Sequence, residues 1–171
     1  SLYRRWLCGL LGDEVEGLDM SSIAAFRSHY HKKVAINTAY LVPQGAIRLE
    51  VLGFRDATLQ GEDMARAQRL LREGLEQGAV GFSTGASHYP DPWASTDELI
   101  ELCQSVRDAD KVYVNEPRKA LVERAFGGDG VAEGLEIARR AGVPVHFAHY
   151  RTSAENAGQV EALMAPFERA R

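Results

Sequence analysis

Cysteine is scarce in this sequence, which has 171 residues and two cysteines, Cys8 and Cys103. Two cysteines are too few for a disulfide scaffold, and they favour a reducing, cytoplasmic compartment. No apolar run approaches the ~20 residues of a membrane-spanning helix, so no membrane association is expected. Positive charge is not in excess either, because 20 Lys and Arg face 24 Asp and Glu. The resulting net charge of −4 disfavours binding to nucleic acid.

What the sequence does contain is the composition of a soluble globular protein, with 45% hydrophobic and 26% charged residues. It has no linker, low-complexity tract or close repeat, so residues 1–171 are expected to belong to a single domain. The chain starts at Ser1 instead of a methionine and stops at Arg171 within a helical pattern. We therefore expect truncated ends, and a missing targeting peptide carries little information.

Apolar β-type runs alternate with longer helical patterns along the chain. Strands are predicted at residues 34–42, 79–83, 111–115 and 143–148, and helices at residues 62–77, 95–106, 131–141 and 155–171. The S-x-x-E capping box of Ser95 and Glu98 opens the second helix, and Gly142 closes the third. This order predicts a parallel sheet with crossover helices, either open and doubly wound or closed into a barrel. Four such units are about half of a (β/α)8 barrel, which typically needs ~250 residues.

In either architecture, reacting groups lie at the carboxyl ends of the strands. In this sequence those ends are Gln44, residues 83–88, residues 115–118 and residues 149–151. His149 ends its strand, where an imidazole can offer a ring nitrogen to a metal or pack as a polar residue. Arg151 can bind a substrate carboxylate through two parallel hydrogen bonds, the alternative being a solvated loop arginine.

Other residues near the strand ends are weaker candidates. Glu116 offers a carboxylate as a metal ligand or a base, unless it is solvated beside the following proline. His146 precedes His149 by three residues, so we expect it on the opposite face of the strand in a structural role. His88 lies in a loop after a strand, where it could overhang a site. Cys103 falls on the apolar stripe of its helix and is expected in the core.

Residues 81–85, G-F-S-T-G, match the G-x-S-x-G nucleophile elbow of serine hydrolases, with Ser83 as the nucleophile. That elbow needs a strand, a sharp turn and then a helix whose start helps to bind the oxyanion. Here residues 86–93 contain two prolines and do not begin a helix. The pattern is therefore interpreted as a tight turn from strand to loop.

His29 and His31 resemble the H-x-H pair that metallohydrolases place at the end of a first barrel strand. In this sequence the pair instead ends a helical segment and is followed by Lys32 and Lys33. Cations in a last helical turn interact favourably with the helix dipole. Both histidines are therefore expected at the surface.

Four segments, taken in order, resemble motifs of one enzyme family. Residues 41–48 (LVPQGAIR) are similar to LVPHGxxR, residues 76–85 (EQGAVGFSTG) to EGAxGxSTG, residues 112–114 (VYV) to part of YVTHxR, and residues 141–149 (AGVPVHFAH) to AGxPVxxSH. From about Gly12 to Arg171, the chain resembles the N-acyl-D-amino-acid deacylases of the amidohydrolase superfamily.

This resemblance implies a (β/α)8 barrel with zinc at its carboxyl mouth and hydrolysis of the N-acyl group from D-amino acids. In that chemistry the metal polarises the amide carbonyl and activates a water, while an aspartate from the last strand moves protons. By position, His149 matches a zinc-binding histidine. Arg151 matches a basic residue, usually lysine, that binds the carboxylate of the substrate.

The sequence also departs from the family pattern. Glu116 replaces a zinc-binding histidine. Glutamate is a competent zinc ligand, so a metal site with altered affinity is one interpretation. The alternatives are a site that prefers a harder metal and a site that is damaged. Gln44 replaces another histidine and cannot act as an acid or base near neutral pH. The H-x-H strand, the cysteine ligand and the catalytic aspartate of the family would lie outside residues 1–171, because neither Cys8 nor Cys103 has the context of that cysteine.

We therefore expect an α/β fold forming part of a (β/α)8 barrel, roughly strands three to six with their helices. The expected function is metal-dependent hydrolysis of N-acyl-D-amino acids, small-molecule substrates. His149 and Glu116 would bind Zn²⁺ or another divalent metal, and Arg151 the substrate. No catalytic residue is expected within this chain, so activity would need residues outside it. The alternative is a non-catalytic protein of the same fold, and the acyl group, the number of metals and the oligomeric state stay open.

Overall fold

Four parallel strands form the centre of the computed structural model, which describes residues 16–170. The strands are β1 (Leu41–Pro43), β2 (Gly81–Gly85), β3 (Val112–Glu116) and β4 (Val145–Phe147), hydrogen-bonded in that order. The helices are α1 (Ile23–Ser28), α2 (Gln44–Leu52), α3 (Gly61–Glu76), α4 (Thr96–Asp108), α5 (Gly130–Ala141) and α6 (Val160–Ala170). Short 3-10 turns occupy Asp91–Trp93, Val122–Arg124, Phe126–Gly128 and Ala154–Asn156. The predicted α/β class with a parallel sheet is confirmed.

Parallel pairing brings the carboxyl ends of all four strands to one edge of the sheet. Val42 is in register with Phe82, Phe82 with Tyr113, and Tyr113 with Val145, so one row of residues crosses the whole sheet. Helices α3, α4 and α5 connect successive strands. Because every strand runs in the same direction, the segments that follow them converge on one edge. We refer to it as the carboxyl edge.

The two faces of the sheet differ in how far they are covered. Phe82 and Tyr113 are fully buried on one face, where their rings stack with centroids 6.0 Å apart. They belong to a core that includes apolar side chains of α3 and α4, as the helical periodicity predicts. The opposite face carries Ser83, Val114 and Glu116, which are all half-buried. Since side chains alternate along a strand, Glu116 lies on this less covered face.

The first strand is shorter than predicted, and a helix follows it that the sequence pattern did not suggest. β1 covers only Leu41–Pro43, and its neighbour β2 begins at Gly81. Just before the two strands, the amide of Val80 donates to the carbonyl of Tyr40 at 2.8 Å. Ile36, which is 75% exposed, lies outside any strand despite its β-type composition. A run of β-forming residues becomes a strand only where a neighbouring strand supplies its hydrogen bonds.

The boundaries of α3, α4 and α5 agree with the predicted ones more closely, whereas α6 was predicted from residue 155 and begins at Val160, after the 3-10 turn Ala154–Asn156. Ser95 caps α4 and accepts from the amide of Glu98 at 3.1 Å. The predicted capping box is only half formed, because the Glu98 side chain is buried elsewhere. Gly142 ends α5 in the left-handed conformation, with φ 69° and ψ 36°, as predicted. No helix within residues 16–170 combines the length and the apolar character needed to cross a bilayer.

The structure places the histidines and the cysteine predicted outside the strand ends, His29, His31 and Cys103, in different surroundings. His29 is the C-cap residue of α1, and its Nε2 lies 2.9 Å from the carbonyl oxygen of Asp19; it is half-buried instead of fully at the surface. His31 is exposed, as expected. Cys103 is fully buried in the core, and burial raises the pKa of its thiol. Cys8 lies outside the described residues.

Candidate metal centre

The sheet register places Glu116 and His149 at neighbouring strand ends. Glu116 closes β3, in register with Gly85 of β2. On the other side, β4 pairs with β3 through Phe147 and Asn115, and the amide of Ala148 donates to the Asn115 carbonyl at 2.9 Å. His149 is the next residue. The two predicted metal ligands therefore both lie at the carboxyl edge of the sheet.

Three polar side chains border the space next to Gly85. A methyl group at this glycine would lie 3.7 Å from Asp91 Oδ2, 3.8 Å from Glu116 Oε2 and 3.9 Å from His88 Nδ1. His88 thus approaches the strand ends, as its loop position suggested, although its side chain is exposed. Two carboxyl groups and an imidazole therefore lie together at the ends of β2 and β3.

Asp91 is a site residue that the sequence patterns did not single out. It is 7% exposed, and its Oδ2 accepts a hydrogen bond from the amide of Gly85 at 2.7 Å. Burial raises the pKa of Asp91 to about 7, and the charge of Glu116 adds to the increase. The Gly85 amide and the Arg48 and Arg118 guanidinium groups oppose it. This carboxyl group therefore titrates near neutral pH, as many active-site acids do.

Arg118 fixes the loop that carries Asp91. Arg118 is 3% exposed, and its guanidinium forms a bidentate ion pair with Glu133, with Nε–Oε2 2.8 Å and Nη2–Oε1 3.0 Å. The same group donates to the carbonyl oxygens of Pro92 and Ala94. Arg118 belongs to a strand-end segment where we expected reacting groups, but its donors are occupied within the protein. Its role is to join β3, α5 and the loop after β2.

Gln44 directly follows β1, and its side chain is enclosed by other residues. It is fully buried, and its Nε2 lies 3.5 Å from Glu98 Oε1. Arg48 Nη1 pairs with the same carboxylate, and Glu98 Oε2 accepts from the amide of Leu59 at 3.0 Å. The glutamine at this position therefore belongs to a buried network that connects α2 to the start of α4.

His149 and Arg151 are exposed at the end of β4. His149 has a φ of 54°, so the chain leaves the extended conformation of the strand at this residue. His146 is in register with Val114 and therefore shares the face of Glu116. Because His146 is exposed, it is not the packed structural histidine that we expected.

The structure gives no support to a nucleophile elbow at Ser83. β2 continues through Ser83 to Gly85, and residues 86–90 form turns. The next α-helix, α4, begins only at Thr96. A helix start next to the serine, which the elbow needs for its oxyanion hole, is absent from this part of the structure.

The donor atoms of Glu116 and His149 fit part of a zinc site. Carboxylate oxygen and imidazole nitrogen are both common zinc ligands. Within residues 16–170, neither side chain forms a hydrogen bond or ion pair with another residue that would occupy it. The same residues contain no group of three or more His, Cys, Asp or Glu side chains placed to bind a metal. The described part of the chain therefore contains two side chains with ligand-type donor atoms and not a complete coordination sphere.

Sequence comparisons find relatives among the deacylases of N-acyl-D-amino acids. A D-aminoacylase from Alcaligenes xylosoxydans xylosoxydans is 29% identical over 143 residues, covering 77% of this chain and 28% of that protein. An N-acyl-D-glutamate deacylase from the same organism is 30% identical over 165 residues, covering 95% of this chain and 32% of that protein. No family model matches the sequence. The chain thus spans about a third of the length of these curated relatives.

Solved structures of similar proteins share the fold. A D-aminoacylase crystal structure superposes with a TM-score of 0.77 and 26% identity, over 92% of this chain and 33% of that one. An N-acyl-D-glutamate deacylase from Bordetella bronchiseptica, solved with zinc and a phosphonate mimic of the tetrahedral intermediate, gives 0.78 and 28% over the same shares.

Together, the parallel sheet and the ligand-type side chains at its carboxyl edge define part of an amidohydrolase-type (β/α)8 barrel. The chain is homologous to D-aminoacylase and to the N-acyl-D-glutamate and N-acyl-D-aspartate deacylases. The family resemblance and the partial barrel predicted from the sequence are thereby confirmed.

Proposed function

We propose that this chain supplies part of the active site of a metal-dependent amidohydrolase that hydrolyses N-acyl-D-amino acids. The observation that carries the proposal is the placement of Glu116 and His149 at neighbouring strand ends, with Arg151 two residues further on. The relatives are named for deacylation of D-amino acids, including D-glutamate and D-aspartate. Linear amides of small acylated amino acids are therefore the substrate class to test first.

In this proposal, each residue of the chain has one task. A Glu116 oxygen and a His149 ring nitrogen bind a divalent metal, with further ligands from outside residues 16–170. When bound, zinc supplies polarisation of the amide carbonyl and an activated water. The Arg151 guanidinium binds the α-carboxylate of the substrate and so orients the amide. Solved D-aminoacylases with a binuclear metal centre and a deacylase with zinc make a divalent metal the natural choice.

The proposal is tested by measuring metal content in the complete protein. We expect purified protein to contain zinc, and Glu116→Ala and His149→Ala each to lower the bound metal substantially. Glu123→Ala is the matched control, because Glu123 is an exposed glutamate in the loop after the same strand. Full zinc content in both site variants would refute the assignment of these two residues.

The second candidate, a non-catalytic member of the fold, is favoured by the enclosed Gln44 and by the incomplete ligand set within residues 16–170. The two candidates differ in a simple measurement. A catalytic protein releases free D-amino acid from N-acetyl-D-amino acids, and chelation of the metal stops the release. A non-catalytic protein releases none, even with zinc added.

A further inference from the structure

The segment 148–151 contains both His149 and Arg151. The side chains of these two residues do not hold the segment in its conformation. Both are exposed, and within residues 16–170 neither forms a hydrogen bond or ion pair. His149 also has a φ of 54°, which is unfavourable for a residue with a Cβ. Such a conformation persists only where neighbouring residues determine the backbone. Residues on either side of His149 must therefore supply the constraint.

Tyr150, between the two, is the residue that is firmly held. Its hydroxyl donates to the carbonyl oxygen of Leu163 in α6 at 2.7 Å. Its ring packs edge-on against Phe167 of α6, with centroids 5.0 Å apart, and lies 6.4 Å from Phe147 of β4. Phe147 and Phe167 in turn form an edge-to-face pair at 4.8 Å. Three rings and one hydrogen bond thus connect the end of β4 to α6.

The hydrogen bond to Leu163 connects Tyr150 to α6 on one side of His149. On the other side of His149, the amide of Ala148 is bound to the Asn115 carbonyl of β3. His149 therefore lies between two residues, Ala148 and Tyr150, whose positions are fixed by hydrogen bonds to β3 and α6.

We propose that Tyr150 is a positioning residue, which fixes the backbone so that His149 and Arg151 are presented together at the carboxyl edge. This inference rests on the proposed function, because it acts through the metal contact of His149 and the substrate contact of Arg151. In this role Tyr150 acts through its contacts with α6 and Phe147, and not by direct contact with metal or substrate. Groups that orient a metal ligand typically change metal affinity by about 10–100-fold when they are removed.

The test is Tyr150→Phe in the complete protein, which keeps the ring and removes only the hydroxyl. Metal-free protein is titrated with Co²⁺, and its visible absorption reports both affinity and ligand geometry. We expect Co²⁺ to bind about 10-fold more weakly with a changed spectrum, and KM for N-acetyl-D-amino acids to rise more than kcat falls. Tyr30→Phe is the control: Tyr30 also packs edge-on against a phenylalanine, at 5.2 Å, and its hydroxyl has no hydrogen bond within residues 16–170.

A purely structural role would lower the melting temperature and leave the Co²⁺ affinity, its spectrum and the KM of Tyr150→Phe within about twofold of the wild type. That result would overturn the inference.

Phe167→Leu, which removes a ring and keeps the hydroxyl, serves as the second variant should Tyr150→Phe not fold, and the same criteria apply to it. The His149→Ala variant distinguishes failure of the Tyr150 positioning role from failure of the proposed function. If it abolishes Co²⁺ binding while Tyr150→Phe does not weaken it, only the positioning role fails; if His149→Ala binds Co²⁺ normally, the proposed function fails as well.

Discussion

Replacing Asp91 by asparagine should remove a pH-dependent loss of stability. The buried carboxyl of Asp91 has its pKa raised to about 7 by burial first, with the charge of Glu116 adding to it. Between the ordinary value of 3.8 and about 7, the folded protein keeps a proton that the unfolded chain has released. The free energy of unfolding therefore falls as pH rises through this window, and it levels off above pH 7. Asparagine is neutral at every pH, and its side-chain oxygen can still accept from the Gly85 amide.

The size of the effect follows from the width of the window. One pH unit corresponds to about 1.4 kcal/mol, so a pKa raised from 3.8 to about 7 costs the folded state about 4 kcal/mol once Asp91 is fully ionised. Between pH 5 and pH 8, the part of the window that is easily measured, the Asp91→Asn variant should gain about 3 kcal/mol relative to the wild type. At pH 5 the two proteins should be much closer in stability.

Urea unfolding of metal-free protein at pH 5, 6, 7 and 8 measures this difference directly. The metal must be removed, because a cation beside Glu116 would lower the pKa of Asp91. Asp56→Asn is the control: its exposed carboxyl pairs with Arg124, whose hydrogen bond holds the pKa of Asp56 below its usual range. Asp56 is then ionised in folded and unfolded protein from pH 5 to 8, so its difference curve should be flat. A flat curve for Asp91→Asn as well would refute the burial argument.

Three further substitutions test other parts of the structure. Arg118→Ala leaves the Glu133 carboxylate buried without its partner, which should lower the free energy of unfolding by about 3–5 kcal/mol in a urea titration. Gly134→Ala would place a methyl group 2.2 Å from Asn115 Nδ2, so we expect destabilisation of about 1–3 kcal/mol in the same assay. Arg151→Ala should raise KM about 10–100-fold with a smaller change in kcat, because a charge-assisted hydrogen bond to the substrate is lost. An unchanged KM would exclude the carboxylate role.

Local signals in the sequence were sufficient for most of the fold. The period of the apolar residues and the cap at Ser95 predicted α3 and α4 to within a residue at their starts. β1 was predicted too long because a strand needs a partner, and composition alone does not reveal where the partner begins. α2 was missed because it follows β1 with no loop between them: Pro43 is both the last residue of the strand and the N-cap of the helix.

The site was less predictable, because its charged residues look alike in sequence. Glu116 and Glu98 both lie near the start of a loop or helix. Within residues 16–170, Glu116 is half-buried without a hydrogen bond or ion pair, whereas Glu98 is fully enclosed with Arg48. Arg48 and Glu98 are 50 residues apart, so no local pattern connects them. Asp91 was missed for a related reason: its burial depends on how residues 86–93 fold over Gly85.

Charged residues at the carboxyl edge have two different roles: some form buried ion pairs, and Glu116 forms none within residues 16–170. Arg48 after β1 pairs with Glu98 in the first turn of α4, and Arg118 after β3 pairs with Glu133 in the first turn of α5. Buried ion pairs of this kind contribute little net stability, because desolvation offsets their attraction. Their directional hydrogen bonds do fix the loops that they join, and the Arg118 contacts to Pro92 and Ala94 fix the loop after β2 as well. A rigid edge of this construction can leave the Glu116 carboxylate without a hydrogen bond or ion pair within residues 16–170, so that its oxygens are available to the proposed metal.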